Sequence, residues 1–375
     1  MLKINALETY FIATSNHHPG GFRNVFLSGN LTETTRITDV PLKNYFAFFN
    51  YDYKNEIEAL ITKKKSKLGF PQHCFFEIKE KINFNSLDEF LKPENYPHQK
   101  IEITAQTSKE NYIKSVSELK THIQNGDIYE INYCITFEAE NIKIDPINIF
   151  NKLNTISKAP YASFLKIKDK YIISASPELF LSKKENKLIT KPIKGTAKRG
   201  ANPKEDEKLK TDLFKSVKER TENVMIVDVA RNDFSRIAKK GTVTVEKLFA
   251  IETYEQVHQM VSTVSCELKD GVTIKNIINA TFPMASMTGA PKIRAMQLID
   301  EFETNARGPY SGCMGYIDEK GDFDLSVLIR SIFYNASEKY LSFSVGSAIT
   351  AQCDPEQECE ECLLKAAALK KVLEE

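Results

Sequence analysis

The chain has 375 residues, of which 42% are hydrophobic and 27% charged, as in an ordinary globular enzyme with a large buried core. This composition excludes disordered and fibrous classes. Fifty-one lysines and arginines balance 50 aspartates and glutamates, so no net field favours nucleic acid or an anionic membrane as a partner. The first fifteen residues lack a signal-peptide core, and no run reaches about 18 apolar residues. The sequence therefore predicts a cytoplasmic enzyme that acts on a small molecule.

Seven cysteines are scattered between Cys74 and Cys362. An odd number in a long chain without a secretory signal argues against a disulfide framework, so reduced thiols are expected. Cys359 and Cys362 form a C-x-x-C pair with Cys353 upstream, which raises the alternative of a zinc or redox site. No second cysteine or histidine pair lies nearby in sequence to complete four ligands, and the segment has helical spacing. These thiols are therefore expected to pack in the interior.

The chain reads as one large fold with two regions. In residues 1–104, short apolar runs such as 45–49 and 74–78 alternate with polar turns and predict strands with one or two helices. Two prolines within residues 92–98 predict a boundary, and a helix is predicted over 112–124. In residues 105–375, long amphipathic helices are interspersed with predicted strands at 162–167, 171–175, 315–317, 324–334 and 340–345. This pattern, which is not a repeating βαβ, predicts an α+β fold.

Two predicted helices carry pairs of carboxylates. Residues 205–229 are predicted to form one helix, in which Glu219 and Glu222 are three apart and lie on one face. The last predicted helix begins at an Asp-Pro pair that fits its N-cap and first position, and it presents a stripe of three charged residues: Glu358, Glu361 and Lys365. Spacing alone favours a solvated charged surface. If the two helices meet, however, the four carboxylates suit a hard cation such as Mg²⁺.

A glutamate and a lysine flank predicted turns. The strand YIISASPELFL breaks at Pro177, which leaves Glu178 between apolar residues, where partial desolvation would raise its pKa and suit a general acid or base. In KPIKGTAKRG, Lys194 is predicted to lie in a tight turn beside Gly195. Its amine is a nucleophile only when neutral, so burial or a neighbouring cation would have to lower its pKa. From spacing alone, a surface lysine is the simpler interpretation.

Several features could bind an anionic substrate. Thr288 and Gly289 precede a predicted helix that contains Pro291, so free backbone N–H groups there could hold a carboxylate. Gly346 is predicted to end a strand in a similar turn. Two further side chains could complete a pocket: Arg330, on a predicted strand, and Tyr310. Each of these features is common, and none identifies a site by itself.

Together these segments resemble the chorismate-binding family, which includes anthranilate, aminodeoxychorismate, isochorismate and salicylate synthases. The resemblance covers roughly residues 108–370 and runs in order through GDIYEIN, SASPELFL, PIKGT, ENVMIVDVARND, MTGAPKIRAM, GPYSGCMGYI and DPEQECEECLLKA. It implies an anthranilate synthase component I-like fold, with two large, mostly antiparallel sheets packed together, helices outside and the active site between the sheets. The resemblance also reverses the preference for a surface position at Glu178, Lys194, Glu222 and Glu361.

The resemblance implies roles for individual residues. Glu222 and Glu361, supported by Glu219 and Glu358, would ligate a Mg²⁺ ion that holds the ring carboxylate of chorismate. Glu178 would be the general acid that helps the ring hydroxyl to leave. The substrate would be bound by eight residues: Gly195, Thr196, Thr288, Gly289, Tyr310, Arg330, Gly346 and Lys365.

Lys194 distinguishes the subfamilies. Its PIKGT segment resembles aminodeoxychorismate synthases, whereas anthranilate synthases have alanine at that position, which leaves space for ammonia. The lysine implies that its amine adds beside the ring carboxylate and expels the hydroxyl, after which ammonia enters at the para position and expels the lysine. The implied product is 4-amino-4-deoxychorismate, on the route to 4-aminobenzoate and folate.

Ammonia requires a source. A class I glutaminase needs a later H-x-E, and none of the six histidines is followed by x-E, so a separate glutaminase subunit or free ammonium is expected. The chain departs from relatives at Gln259, where anthranilate-type enzymes have histidine and His258 lies one place earlier, and at Ala348 in a glycine-rich segment. An anthranilate, isochorismate or salicylate synthase is an alternative. A catalytically silent chorismate-binding subunit is another.

Overall fold

The computed structural model describes residues 7–31, 37, 43–62, 64–91, 100–255 and 257–374, and the boundary predicted at 92–98 lies outside them. The strands are β1 Thr9–Thr14, β2 Val25–Leu31, β3 Tyr45–Phe49, β4 His73–Asn83, β5 Thr104–Ala105, β6 Glu130–Ala139, β7 Tyr161–Ile167, β8 Lys170–Ser176, β9 Leu179–Lys184, β10 Lys187–Lys191, β11 Ile193–Lys198, β12 Thr244–Thr253, β13 Val257–Glu267, β14 Gly289–Ala290, β15 Cys313–Ile317, β16 Phe323–Val327, β17 Ser331–Asn335 and β18 Tyr340–Thr350. The helices are α1 Lys54–Glu58, α2 Leu87–Phe90, α3 Lys109–Gln124, α4 Pro146–Ser157, α5 Pro203–Lys215, α6 Val217–Ser235, α7 Ile274–Thr281, α8 Lys292–Phe302 and α9 Pro355–Glu374.

The described strands pair edge to edge in one long antiparallel series. Its order is β12, β13, β10, β9, β16, β15, β3, β4, β2, β1, β7, β8, β17, β18 and β6. Strand β11 is added beside β13 at one end, and β5 and β14 are added beside β6 at the other. The two ends are therefore far apart along the series, and the way in which the series bends decides whether they meet.

Two hydrophobic cores lie on opposite faces of these strands. Neighbouring side chains on a strand point to opposite faces, so Phe11 belongs to one core and Ile12 to the other. The first core lies between layers, because β1 and β2 share it with β3, β4, β15 and β16. The second is covered by α3, α4, α8 and α9. The predicted α+β fold is thus confirmed, with antiparallel layers inside and helices outside. None of the described helices is long and apolar enough to cross a membrane.

Two predicted elements are divided in the structure. The helix predicted over 205–229 is two helices, because Ser216 leaves the helical path and its Oγ accepts a hydrogen bond from the N–H of Glu219 at 3.3 Å. The strand predicted over 324–334 stops after β16 and resumes at β17. Arg330 lies in the interruption, with a φ of 52°. The prediction that it lies on a strand is therefore wrong.

Three residues lie elsewhere than predicted. Lys194 lies on strand β11 rather than in a turn, because this segment pairs with β13. Gly346 lies inside β18 opposite Cys134, rather than at the end of a strand. Pro291 precedes α8 as its N-cap residue, so the helix begins one residue later and does not contain it.

The cysteines and the last helix agree with their predictions. All seven cysteines are free and buried, and Cys362 packs in the helix-covered core with its Sγ 3.7 Å from the Tyr112 hydroxyl. Helix α9 begins at Pro355, and Oδ1 of Asp354 accepts hydrogen bonds from the N–H groups of Glu356 and Gln357 at 3.0 and 2.9 Å. This cap fixes the start of the helix and hence the direction in which its carboxylates point.

Candidate active site

The two ends of the strand series meet at an ion pair. Lys194 on β11 belongs to one end, and Glu130 at the start of β6 belongs to the other. The Nζ of Lys194 donates a hydrogen bond to Oε1 of Glu130 at 2.5 Å, and the two side chains are 8% and 1% exposed. Residues 64 apart in sequence are thereby joined in the interior. The site is built around this contact.

Glu130 was missed by the sequence analysis, although β6 carries a signal for it. Along this buried strand Ile131 and Tyr133 enter the helix-covered core, whereas Glu130 and Asn132 point to the opposite face. A strand that alternates polar with apolar residues usually exposes its polar face, but here both faces are buried. Gly289 of β14 packs so closely that a Cβ there would lie 2.1 Å from the backbone oxygen of Glu130. The polar face of β6 is therefore an interior wall.

Lys194 is an ammonium ion in these surroundings. Burial favours its neutral form, but the negative charges of Glu130, Glu222 and Glu178 outweigh burial and raise its pKa above the usual value. This contradicts the expectation that its surroundings would lower the pKa of a nucleophilic lysine, because the neighbours are anions and not cations. The amine must therefore lose a proton before it can act as a nucleophile.

Glu178 is a buried carboxyl group poised between its two protonation states. It lies between β8 and β9, and its Oε1 accepts a hydrogen bond from Ser286 Oγ at 2.6 Å. Burial raises its pKa to about 7, although Ser286 and Lys194 act in the opposite direction. Its side chain also borders a cavity of about 20 Å³, room for about one water molecule. Near neutral pH this group can donate a proton, as predicted for a general acid.

Helices α6 and α9 carry the four predicted metal ligands, and one ion pair links the two helices. The helices are joined by Lys218, whose Nζ lies 2.7 Å from Oε1 of Glu358, and on α9 Lys365 lies 2.5 Å from Glu361. Oε1 of Glu222 is buried and has no hydrogen-bond partner among the described residues, and burial raises the pKa of this group to about 8. Burial also raises the pKa of Glu219.

One buried oxygen of this carboxylate set has no hydrogen-bond partner among the described residues. In the part of the chain that the structure describes, no three His, Cys, Asp or Glu side chains are close enough together to hold a metal ion. Glu358 and Glu361 are paired with lysines, whereas the buried oxygen of Glu222 is unpaired. A buried carboxylate oxygen without a partner is costly unless a cation or a proton reaches it. Oxygen ligands of this type fit Mg²⁺.

Three of the predicted substrate-binding residues are linked by hydrogen bonds, and a fourth, Tyr310, is buried with a separate hydrogen bond. Nζ of Lys365 donates to the backbone oxygen of Gly346 at 2.9 Å, and Nη1 of Arg330 donates to the backbone oxygen of Lys365 at 3.1 Å. Tyr310 is buried and its hydroxyl accepts from Cys134 Sγ at 3.6 Å. Two cationic side chains therefore lie together beside Glu361, as an anionic substrate would require.

The remaining predicted substrate-binding residues are less available. The N–H of Thr288 donates to Ala285 and its hydroxyl to Met284, so both of its donors are used within the chain. Gly289 is paired with β6. Thr196 is exposed on β11, whereas Lys194 on the same strand is buried. Their roles stay predictions.

A family model described as chorismate binding enzyme matches residues 15–371. The chain belongs to the chorismate-binding enzyme family. It is 33% identical to aminodeoxychorismate synthase component 1 of Bacillus subtilis (strain 168) over 88% of this chain and 70% of that protein. It is 38% identical to anthranilate synthase component 1 of Acetivibrio thermocellus over 92% of this chain and 68% of that protein. The match spans 35% to 56% of the length of six other relatives.

The fold is shared with solved structures of this family. The crystal structure of anthranilate synthase component I from Streptococcus pneumoniae TIGR4 matches with a TM-score of 0.77 at 24% identity, over 99% of this chain and 94% of that one. This similarity establishes the predicted fold. Relatives named for two different synthases are about equally similar in sequence, so identity alone does not separate the two reactions.

The departure of this family member at Gln259 has a structural consequence. Gln259 and His258 are neighbours on β13 and therefore point to opposite faces. His258 is held between Asp206 and Thr253, with 2.9 Å to each partner atom. Gln259 is buried, and its Oε1 has no hydrogen-bond partner among the described residues. His258 therefore does not substitute for a histidine at position 259.

Gly195 combines a left-handed backbone with close packing, since an added Cβ would lie 3.1 Å from both Glu219 Cβ and a methyl group of Leu213. We expect Gly195→Ala to lower the free energy of unfolding by about 2–4 kcal/mol. Its φ is 90°, and a Cβ would lie 2.9 Å from Oε2 of Glu219. The matched control is Gly271→Ala, where φ is 76° and no heavy atom lies within 4 Å; backbone strain alone should cost about 1–2 kcal/mol there. Urea unfolding measures both, and equal losses would refute a role for the Glu219 contact.

Proposed function

We propose that this protein makes 4-amino-4-deoxychorismate from chorismate and ammonia, as an aminodeoxychorismate synthase on the route to 4-aminobenzoate and folate. The observation that carries the proposal is Lys194. Its Nζ is buried among carboxylates and lies in the PIKGT segment, where alanine is expected of anthranilate synthases. Membership of the chorismate-binding family supports the substrate.

The chemistry divides between two side chains. The neutral amine of Lys194 would add to the ring of chorismate beside the ring carboxylate, and the ring hydroxyl would leave with a proton from Glu178. The pKa of Glu178, raised by burial to about 7, suits that step because the acid form is well populated near neutral pH. Ammonia would then enter at the para position, and the C–N bond to Lys194 would break. Forming a covalent intermediate splits one difficult substitution into two easier ones.

Charge complementarity supports an acidic substrate. Arg330 and Lys365 are the cationic groups beside Gly346, and they would hold the carboxylates of chorismate. Glu222 and Glu361, supported by Glu219 and Glu358, would hold a magnesium ion, and the unpaired oxygen of Glu222 fits that role. When bound, magnesium would supply the positive charge that neutralises the ring carboxylate. Ammonia would come from a separate glutaminase subunit or from free ammonium.

The proposed reaction is tested by identifying products. The purified chain would be incubated with chorismate, Mg²⁺ and ammonium, with and without an added lyase that converts 4-amino-4-deoxychorismate to 4-aminobenzoate. The products would be separated by chromatography and identified by mass spectrometry. We expect 4-aminobenzoate only when the lyase is present. Anthranilate, isochorismate or salicylate would keep the family and overturn the proposed reaction. Binding of chorismate without turnover would favour a catalytically silent subunit.

Magnesium is expected to stabilise the protein through Glu222. Saturating Mg²⁺ should raise the melting temperature by about 3–8 °C over an EDTA control, because a cation bound only to the folded state stabilises it. Glu222→Gln should remove most of that shift, since it removes a charge from the buried carboxylate without changing its shape. Glu360→Gln, on the exposed side of α9, is the control and should keep the shift. An equal shift in both variants would contradict the assignment.

A further inference from the structure

We propose that Glu130 accepts the proton that Lys194 must lose, and so converts the ammonium ion into the amine that attacks the substrate. This inference rests on the proposed function, because it assumes that Lys194 is the nucleophile. Glu130 acts through Lys194 and need not touch chorismate. The geometry that supports it lies in three features: the contact with Lys194, the free second oxygen of Glu130, and the rigid position of the strand that carries it.

The contact is already the one that proton transfer requires. Oε1 of Glu130 accepts the hydrogen bond from Lys194 Nζ at 2.5 Å, which is shorter than a usual hydrogen bond and leaves no gap between the base and the proton that it removes. Both groups are buried, so water does not compete strongly with the carboxylate for this proton. Oε2 of Glu130 has no hydrogen-bond partner among the described residues, so no donor stabilises the ionised carboxylate from that side. Burial therefore lowers the cost of neutralising the pair by proton transfer, although the neighbouring carboxylates keep the pair ionised before substrate binds.

The other carboxylates near Lys194 have proposed roles that do not allow them to accept its proton. Glu178 must be protonated to assist departure of the hydroxyl, and its Oε1 already accepts a hydrogen bond from Ser286. Glu222 and Glu219 on α6, and Glu361 on α9, belong to the set proposed to bind magnesium, and Glu361 is paired with Lys365. Glu130 carries no competing role, and it approaches Lys194 from a different strand.

The position of Glu130 is fixed by the strands on both sides of β6. It is registered with Thr350 of β18 on one side and with Ala290 of β14 on the other. Gly289 allows β14 to pack against the backbone of Glu130, because a side chain at that position would collide with it. A base held by two neighbouring strands needs no reorganisation before it accepts the proton.

The proton and electron balance closes over one cycle. Lys194 gives a proton to Glu130, and its freed electron pair forms the C–N bond beside the ring carboxylate. Both conjugated double bonds of the ring shift by one position, and the C–O bond at the para position breaks as Glu178 protonates the hydroxyl to give water. Ammonia then forms the second C–N bond, and the electron pair of the breaking bond returns to Lys194. The protonated Glu130 returns its proton to Lys194, and the excess proton on the product nitrogen passes to the carboxylate of Glu178. The sum is chorismate plus ammonia to aminated product plus water.

The test is Glu130→Gln, which keeps the size of the side chain and removes the base. We expect kcat to fall by about 10²–10³-fold while KM for chorismate changes less than about 3-fold. Glu130→Asp keeps a carboxylate and should recover part of the lost kcat. Glu138→Gln is the matched control, because Glu138 is also a buried glutamate on β6, bonded to Lys67 and Tyr340 instead of Lys194. Its kcat should stay near that of the parent protein.

The pH profile separates proton transfer from a merely structural role. Without Glu130, Lys194 must lose its proton to solvent, so kcat of Glu130→Gln should rise about 10-fold per pH unit over a range in which the parent enzyme does not. Parent-like activity in Glu130→Gln, or a loss shared equally by Glu138→Gln, would overturn the inference. So would a loss with an unchanged pH profile. If the parent enzyme itself makes anthranilate, the proposed function fails instead, and the product analysis shows which of the two has failed.

Discussion

Lys194→Met is expected to reduce formation of 4-amino-4-deoxychorismate by at least about 10³-fold, because it removes the nucleophile while filling most of the same volume. The amine is the group that the proposed mechanism requires at this place, buried beside Glu130. Initial rates with saturating ammonium measure the effect, and chorismate binding to the variant shows that the pocket persists.

The matched control for this prediction is Lys198→Met on the same strand. Lys198 is exposed, so its replacement should leave the rate within about 2-fold of the parent. Retention of a tenth or more of the activity by folded Lys194→Met would contradict a covalent role for this lysine. It would instead favour direct attack by ammonia on the ring.

Glu178→Gln is expected to lower kcat by about 10²–10⁴-fold, because an amide of the same shape cannot donate the proton that the leaving hydroxyl needs. The carboxyl must be protonated to act, and its pKa is raised by burial to about 7, so the rate of the parent enzyme should fall as the pH rises through about 7. This alkaline limb should be missing from the residual activity of the variant. A pH–rate profile under single-turnover conditions measures both effects.

Glu185→Gln is the control for that prediction. Glu185 lies in the exposed turn between β9 and β10 and should leave both the rate and the pH profile unchanged. If the variant at Glu178 keeps the alkaline limb, then another group supplies the proton.

Helix caps and short hydrophobic patterns in the sequence correctly predicted the elements that depend on only a few neighbouring residues. The start of α9 follows from Asp354 and Pro355, and β3 follows from a short apolar run, because caps and hydrophobic patterning act over a few residues. The break at Ser216 was missed because a serine within a charged helical pattern does not by itself show that the helix ends there. Only the N-cap bond to Glu219 marks the second start.

The centre of the site depends on contacts that sequence spacing does not contain. Glu178, Lys194 and the four helix carboxylates were predicted as site residues, and the raised pKa of Glu178 agrees with its prediction. The raised pKa of Lys194 was not predicted, because it depends on which groups the fold places together. Lys194 and Glu130 are 64 residues apart and meet only because the ends of the strand series come together. The φ of 52° at Arg330, which takes it out of the strand, likewise depends on the packing of β16 and β17.

Peptide mass spectrometry of the chain, after incubation with chorismate and Mg²⁺ in the absence of ammonia, tests whether Lys194 forms the covalent intermediate. We expect a fraction of chains in which Lys194, and not Lys198, carries the mass of chorismate less one water. Added ammonium should remove this adduct as the product forms. An unmodified Lys194 in a preparation that turns over when ammonium is added would contradict the covalent intermediate.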